Sequence, residues 1–356
     1  IDRPITLKDG YAHVRLDGLT PGARVHYAFF VLDKQGKAVS RSPLGSLRAP
    51  PDEDSLEPVL VGATACTRNG WDLSVVETAG RRRDLDLFLH LGDTVYCDGS
   101  ETRDEYRAKW RENLSTPGYR ALRAHNSVLA TWDDHEVDND WTPETRPAEL
   151  IDTARNAFFE HQPVERFADD PNRIWRSKRW GKTLEVFVLD SRSGRKRECS
   201  MPEYLARDQM DWLKDGLRNS PAKFKLLMNT VPVSCYPTAF APNRGERWES
   251  YPESREEILG FIDANRIGGV LWLSGDFHLA SVGRVSPHGC GRRALEVLAG
   301  PGGQFPNLRA AWLRGKQWDW ASSENNYATL AFDPKRGEVT VRHHNKRDET
   351  IQASVH

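Results

Sequence analysis

Side chains that can bind metals follow several apolar segments of this sequence, at the point where each segment ends. These side chains come after predicted buried strands and are far apart in the chain: Cys66, Asp93, Asp134, His135, Asp276 and His278. Because the carboxyl ends of strands form the ligand crevice of an α/β sheet, we expect these residues to converge. A carboxylate beside a core would otherwise carry a large free-energy cost of desolvation, and a bound cation offsets that cost. The pattern therefore predicts a metal site.

The donor types of this set favour two unlike metal ions. Carboxylate oxygens suit hard ions, whereas imidazole and thiolate suit transition metals. A trivalent iron tolerates thiolate and phenolate, and calcium or another hard divalent ion would take the carboxylates. Two ions bridged by one carboxylate suit phosphoryl transfer, because they clamp both the attacking and the leaving oxygen. We therefore expect a dinuclear centre of Fe³⁺ with Ca²⁺, other divalent ions being the alternative.

Short apolar segments alternate with helix-like segments over most of the chain. The apolar segments read as strands that end next to polar residues: 59–65, 85–91, 128–132, 184–189, 224–228 and 270–274. The helix-like segments lie between them: 102–113, 150–161, 203–218 and 254–266. This alternation predicts an α/β layered core whose sheets are covered on both faces. Two segments near the end, 327–333 and 338–344, are predicted to form a closing hairpin.

The first 50 residues have only strand and turn patterns. Residues 11–16 alternate apolar and polar side chains, 19–23 contain a turn signal, and 25–32 are strongly β-prone. This order resembles part of a fibronectin type III module, but 50 residues is short for a complete sandwich. We predict an N-terminal β domain at 1–50, incomplete as a sandwich, a linker at 51–58 and a main domain at 59–356.

The composition is that of a soluble globular protein without a strong charge bias. The 356 residues are 38% hydrophobic and 28% charged, and the net charge is -1. This balance gives no indication of nucleic-acid binding or of an anionic membrane partner. No apolar run approaches the roughly 18–20 residues of a membrane-spanning helix.

The cysteines and the first residues bear on the compartment of the protein. Five cysteines, an odd number, leave at least one thiol unpaired. A disulfide between Cys199 and Cys235 and idle buried thiols are the two alternatives. The first ten residues lack the pattern of a signal peptide and do not begin with Met, so we expect a processed or trimmed chain.

Four segments together resemble the PhoD-like alkaline phosphatases of the calcineurin-like metallophosphatase superfamily. They occur in the order typical of that family: Gly92-Asp-Thr-Val-Tyr96, Thr131-Trp-Asp-Asp-His-Glu136, Leu189-Asp-Ser-Arg192 and Ser274-Gly-Asp-Phe-His278. The resemblance runs from about Val59 to the C-terminus and implies an α/β/β/α sandwich. It also implies export to a secreted or periplasmic location.

The resemblance implies roles for individual residues. Metal ligands are implied at six positions, with Asp93 bridging and iron bound by Cys66 and Tyr106: Cys66, Asp93, Tyr106, Asp134, Asp276 and His278. His135 is implied to protonate or stabilise the leaving oxygen. Substrate contacts are assigned to Arg192, which is also implied in catalysis, and to Asn139 and Asn229. The alternatives are that Arg192 pairs with Asp190 and that Asn139 caps a turn.

The predicted function is hydrolysis of phosphate esters, with diesters preferred to monoesters. The expected nucleophile is a metal-bound hydroxide that attacks phosphorus in line. A serine route is not supported, because the chain has no Gly-x-Ser-x-Gly elbow. One alternative is phospholipase D-like cleavage of phospholipid headgroups by the same site. Another is a non-catalytic binding module on this fold. The expected partner is a small phosphate ester or a phospholipid, and no specific nucleic-acid binding is expected.

Overall fold

A computed structural model describes residues 4–197, 202–237 and 244–356 of the chain. The strands it contains are, in chain order, β1 Arg24–Tyr27, β2 Phe30–Leu32, β3 Ala38–Arg41, β4 Gly45–Arg48, β5 Val59–Thr64, β6 Leu87–Leu91, β7 Val128–Thr131, β8 Arg176–Trp180, β9 Leu184–Val188, β10 Phe224–Met228, β11 Val270–Ser274, β12 Ala280–Arg284, β13 Leu295–Leu298, β14 Trp318–Ser322, β15 Tyr327–Asp333, β16 Glu338–His344 and β17 Thr350–Val355. The α-helices are α1 Ser74–Arg81, α2 Arg103–Leu114, α3 Pro117–His125, α4 Ala148–His161, α5 Arg207–Asn219 and α6 Pro252–Ala264. Short 3-10 segments cover Arg244–Glu246, Trp248–Ser250 and Leu308–Trp312.

Two large sheets form the centre of the molecule. One has seven strands in the order β14-β12-β13-β11-β10-β9-β8, and the other has six in the order β17-β16-β15-β5-β6-β7. Strands β5, β6 and β7 run parallel, as do β9, β10, β11 and β13. Each parallel set therefore brings several carboxyl ends to one edge of its sheet, which is where the site lies.

The two sheets pack face to face through one apolar cluster. That cluster joins Val61 and Leu89 of the six-stranded sheet to Leu226 and Leu273 of the seven-stranded sheet. Helices α1 and α3 cover the outer face of the first sheet, and α5 and α6 cover the outer face of the second. The layers are therefore helix, sheet, sheet, helix. This order confirms the predicted α/β/β/α sandwich. The sequence forms it because strands that are buried on both faces need continuous apolar runs, and these strands have them.

Most predicted elements are found with shifted ends. The helices expected at 102–113, 150–161, 203–218 and 254–266 correspond to α2, α4, α5 and α6. Helix α2 begins at a capping box in which Thr102 and Glu105 bond to each other's backbone, which explains its sharp start. The closing hairpin is β15 and β16, and β17 adds a third strand to it.

The N-terminal segment differs from its prediction in detail. Its strands pair as two separate antiparallel ladders, β1 with β4 and β2 with β3. Residues 12–16 form no strand, although they alternate in polarity; instead Tyr11 and His13 contact α4 at His161 and the Glu160 carbonyl. A half-buried pair of Arg48 with Asp86 also ties the segment to the main sandwich. The domain boundaries stay a prediction.

Two sequence-based questions fall partly outside these residues. Cys199 is among the residues that the structure does not describe, so its pairing with Cys235 stays open. Within the described ranges, no helix is long and apolar enough to cross a membrane.

Candidate metal centre

The carboxyl ends of the parallel strands carry the predicted site residues. On the six-stranded sheet, Cys66 lies just after β5, Asp93 after β6, and Asp134 with His135 after β7. On the other sheet, Asn229 follows β10, and Asp276 and His278 follow β11. These ends face one another across the top of the sandwich. The sequence therefore folds so that five strands deliver polar side chains to one place.

Asp93 is the common member of three overlapping groups of metal-binding atoms. The groups, each with its donor atoms within 4.8 Å of one another, are Cys66–Asp93–His278, Asp93–Asp134–His135 and Asp93–Asp133–Asp134–Asp276. Within the first, Cys66 Sγ lies 3.4 Å from Asp93 Oδ2. The structure thus brings together five of the six predicted ligands around one carboxylate.

Four of these residues have a left-handed backbone that non-glycine residues rarely adopt. The φ angles are 55° at Cys66, 55° at Asp93, 61° at Asp276 and 52° at His278. Such conformations cost about 1 kcal/mol or more each and persist where the surroundings impose them. Their concentration at three strand ends indicates that side-chain placement at this site takes precedence over local backbone preference.

The buried oxygens at this site fit bound cations. Oxygens of four side chains are buried and accept no hydrogen bond from the protein: Asp93 Oδ1, Asp133 Oδ2, Asp134 Oδ1 and Asn229 Oδ1. Burial raises the pKa of Asp93 and Asp276 well above the usual carboxyl range, and neighbouring acids raise it further. Burial likewise raises the pKa of the Cys66 thiol, and Asp93 adds to the rise. A cation would supply the missing partners and favour the charged forms.

The structure corrects the assignment of Tyr106. Its hydroxyl is buried on α2 and donates a hydrogen bond to the Val137 carbonyl (3.0 Å), so it is a packing residue behind the site. Tyr96 stands at the site instead, and its hydroxyl donates to Asp93 Oδ2 (3.3 Å). Burial raises the pKa of Tyr96, and the nearby Asp93 and Cys66 add to the rise. The missed signal was the spacing: Tyr96 lies three residues after Asp93 in the same loop.

His135 is held by a residue that the sequence analysis did not single out. Both carboxylate oxygens of Asp98 lie close to His135 Nδ1, at 2.7 and 2.9 Å. The Tyr96 ring packs against the imidazole with centroids 4.0 Å apart. Burial lowers the pKa of His135, but Asp134, Asp93 and Asp98 together raise it to about 10. The imidazole is therefore oriented through Nδ1, which leaves Nε2 for the site.

Glu136 connects the two loops that carry the ligands of the six-stranded sheet. Its carboxylate accepts the backbone N–H groups of Asp93 (3.0 Å), Thr94 (2.5 Å) and Asp133 (2.8 Å). Glu296 does the same on the other sheet, where it accepts from Val233, Ser234 and the Ser274 hydroxyl. Two buried carboxylates thus fix the loops in register.

The structure also gives Arg192 a different place from the predicted one. Its side chain is only 1% exposed. The guanidinium donates to Asp133 (2.5 Å), pairs with Glu246 and lies 3.4 Å from Asp134. The Arg192 backbone N–H, and not its guanidinium, donates to Asp190, at 3.0 Å. Arg192 is therefore a buried positioning residue beneath the site rather than a group that meets substrate.

This buried network predicts a stability defect. Arg192→Leu leaves Asp133 as a poorly compensated buried charge, while Glu246 keeps its pair with Arg195, so the free energy of unfolding should fall by about 3–5 kcal/mol. Urea denaturation of the chelator-treated protein measures this loss. As a control, Arg336→Leu removes a solvent-exposed pair with Glu338 and should cost about 0–1 kcal/mol. Unchanged stability with a raised KM would instead restore Arg192 as a substrate-binding residue.

The two predicted asparagines occupy different environments. Asn229 is fully buried at the end of β10, and its Nδ2 donates to the Val231 carbonyl while Oδ1 has no protein partner. This leaves the amide oxygen available to a cation. Asn139 is exposed, and its backbone N–H donates to Asp98 (2.8 Å). It therefore contacts the same carboxylate that holds His135.

Comparison with known proteins agrees with this arrangement. A sandwich of two sheets with an acid-rich centre at the strand ends is the metallophosphatase fold. A family model described as PhoD-like phosphatase matches residues 61–347, so the chain belongs to the PhoD-like phosphatase family.

Individual relatives share the fold at low sequence identity. The chain is 26% identical over 316 residues to alkaline phosphatase D of Bacillus subtilis (strain 168), with 75% of this chain and 53% of that protein covered. It therefore spans about half the length of that relative. A solved structure of PhoD superposes with a TM-score of 0.80 at 19% identity, covering 96% of this chain and 75% of the other. Purple acid phosphatase PPD1 from yellow lupin (Lupinus luteus) seeds gives 0.70 at 11% identity, covering 95% and 60%.

Proposed function

We propose that this chain hydrolyses phosphate esters at a two-metal centre bridged by Asp93. The observation that carries the proposal is that Asp93 belongs to all three groups of donor atoms and keeps a buried oxygen without a protein partner. Two ions held by one shared carboxylate suit in-line phosphoryl transfer, because they would stabilise both the attacking and the leaving oxygen. Membership of a phosphatase family supports the same reaction.

The donor set supports unlike ions on the two sides of Asp93. Cys66, Tyr96 and His278 offer thiolate, phenolate and imidazole, which suit Fe³⁺. Asp134, Asp276 and the amide oxygen of Asn229 offer hard oxygens, which suit Ca²⁺ or another divalent ion. Iron bound by phenolate or thiolate should give visible charge-transfer absorption. A colourless, active protein that contains only zinc would contradict this choice of metals.

The side chains around the centre have separate tasks in the reaction. Bound ions would supply Lewis-acid stabilisation of the phosphoryl oxygens and lower the pKa of water. His135, oriented by Asp98 through Nδ1, places Nε2 to give a proton to the leaving alkoxide. Glu136 and Arg192 act through other residues, because they hold Asp93, Asp133 and Asp134 in place. Export to a secreted or periplasmic location stays part of the proposal on the ground of the family resemblance alone.

The substrate preference is tested with three esters. Metal-replete protein should cleave bis(4-nitrophenyl) phosphate faster than 4-nitrophenyl phosphate, and chelation should abolish both activities until metal is restored. Release of choline from phosphatidylcholine would show the phospholipase D-like alternative. Activity that survives complete chelation would refute the metal centre, whereas much faster monoester cleavage would overturn only the diester preference.

A further inference from the structure

Two loops run side by side at the edge of the metal centre. The Arg68 N–H donates to the Gly303 carbonyl (2.9 Å), and the Gly303 N–H donates to the Cys66 carbonyl (3.1 Å). The second loop is also anchored to the site, because the Asn307 N–H donates to the His278 carbonyl (2.7 Å). The two loops therefore adjoin two of the predicted ligands, Cys66 and His278.

Two large aromatic rings project from these loops into solvent. Trp71 is 40% exposed and Phe305 is 64% exposed. Their rings contact each other edge to face, with centroids 6.2 Å apart. Leaving both rings in water forfeits the free energy that their burial would provide. A pair of exposed rings at the mouth of a polar site is a surface that an apolar ligand can cover.

An arginine on the first of these loops lies beside the tyrosine of the metal centre. The Arg68 guanidinium stands 5.6 Å from the centroid of the Tyr96 ring, whose hydroxyl contacts Asp93. Arg68 is exposed, and within the described ranges it forms no salt bridge with an acid. It differs in this respect from Arg192, which buried acids hold. The planar guanidinium matches the oxygens of a phosphoryl group.

We propose that Arg68, Trp71 and Phe305 form a substrate wall for phosphate esters whose non-leaving alcohol is apolar. Arg68 binds a phosphoryl oxygen, and the two rings cover the alkyl or aryl group next to it. The inference rests on the proposed function for its substrate, since the wall adjoins the same centre. It deepens that function by naming the substrate class as dissolved phosphodiesters with one apolar alcohol.

A series of diesters tests the wall. Methyl, butyl and octyl 4-nitrophenyl phosphates share one leaving group and differ only in the non-leaving chain. In the metal-replete protein, kcat/KM should rise about twofold for each added methylene. Complete burial of a methylene would raise it about fourfold, and the exposed rings can cover the chain only in part. Trp71→Ala and Phe305→Ala should flatten this dependence while the methyl ester is still cleaved. Phe30→Ala, which removes a ring that is 57% exposed in β2, is the matched control and should leave the dependence unchanged.

Arg68 is tested with the same series. Arg68→Gln should raise KM about tenfold for all three esters alike, because the phosphoryl group is common to them. Arg68→Lys should recover part of this loss through its charge. A KM unchanged in Arg68→Gln would remove Arg68 from the wall.

Binding without turnover separates the wall from the reaction. Calorimetric dissociation constants of butyl- and octylphosphonate should show the same chain-length dependence and the same loss in Trp71→Ala and Phe305→Ala. If no ester is cleaved but this dependence remains, the proposed function fails and the wall stands. If the esters are cleaved and neither ring variant changes the dependence, the wall is wrong. A dependence seen only above the aggregation concentration of the octyl compounds would also overturn it, because the ligand would then be a lipid surface.

Discussion

Asp93→Asn is expected to lose both bound metal and activity. Asp93 takes part in every group of donor atoms at the site, so neutralising it weakens both ion positions at once. Removing one stabilising contact to the reacting phosphoryl group typically costs about 10²–10³-fold in rate. Because Asp93 serves both ion positions, its neutralisation should lower kcat/KM by at least the upper end of that range, about 10³-fold. Elemental analysis of the purified variant beside its kinetics measures the two losses together.

Asp263→Asn is the matched control for this change. Asp263 is an exposed acid near the end of α6 and belongs to none of the groups of metal-binding atoms. The same change of charge there should leave metal content and kcat/KM at the wild-type values. Asp93→Asn with a full complement of two ions would refute the bridging role.

His135→Ala should slow the reaction while metal remains bound. Loss of a general acid typically costs about 10²–10⁴-fold. The cost should be largest for alkoxide leaving groups, which need a proton, and should shrink for nitrophenolate, which does not. The measurement is the slope of log kcat/KM against leaving-group pKa for His135→Ala and the wild-type protein.

Asp98→Asn should reproduce this pattern on a smaller scale. An amide cannot hold the imidazole as the carboxylate does, so we expect a loss of about 10–100-fold with the same dependence on the leaving group. Equal slowing of good and poor leaving groups in His135→Ala would remove its role as the leaving-group acid. Wild-type kinetics in the Asp98→Asn variant would show that Asp98 does not support His135.

The sequence predicted the part of the site that depends on strand ends. Apolar runs followed by Asp or His locate the carboxyl ends of strands. Parallel strands of one sheet end at the same edge, so residues that follow them lie close together. This is why Asp93, Asp134, Asp276 and His278 could be named and are found together. The layered fold followed from the same runs, since their continuous apolar character requires cover on both faces.

The remaining features depend on loop paths, which the sequence does not encode so directly. Tyr106 lies on α2, beyond the loop that follows Asp93, and its hydroxyl donates to the Val137 carbonyl instead of reaching the site. The sequence offered Asp190, two residues away, as the alternative partner of Arg192, yet its partner Glu246 is 54 residues away. The left-handed backbone at Cys66 and Asp93 has no sequence signal, because ordinary residues there are held by tertiary contacts.

A crystal structure of the metal-replete protein with anomalous diffraction tests the central claim most directly. We predict two anomalous peaks, one on each side of the Asp93 carboxylate. One peak should lie beside Cys66, Tyr96 and His278 and should strengthen at the iron absorption edge, and the other should lie beside Asp134. A single peak, or two peaks that do not share Asp93, would contradict the account.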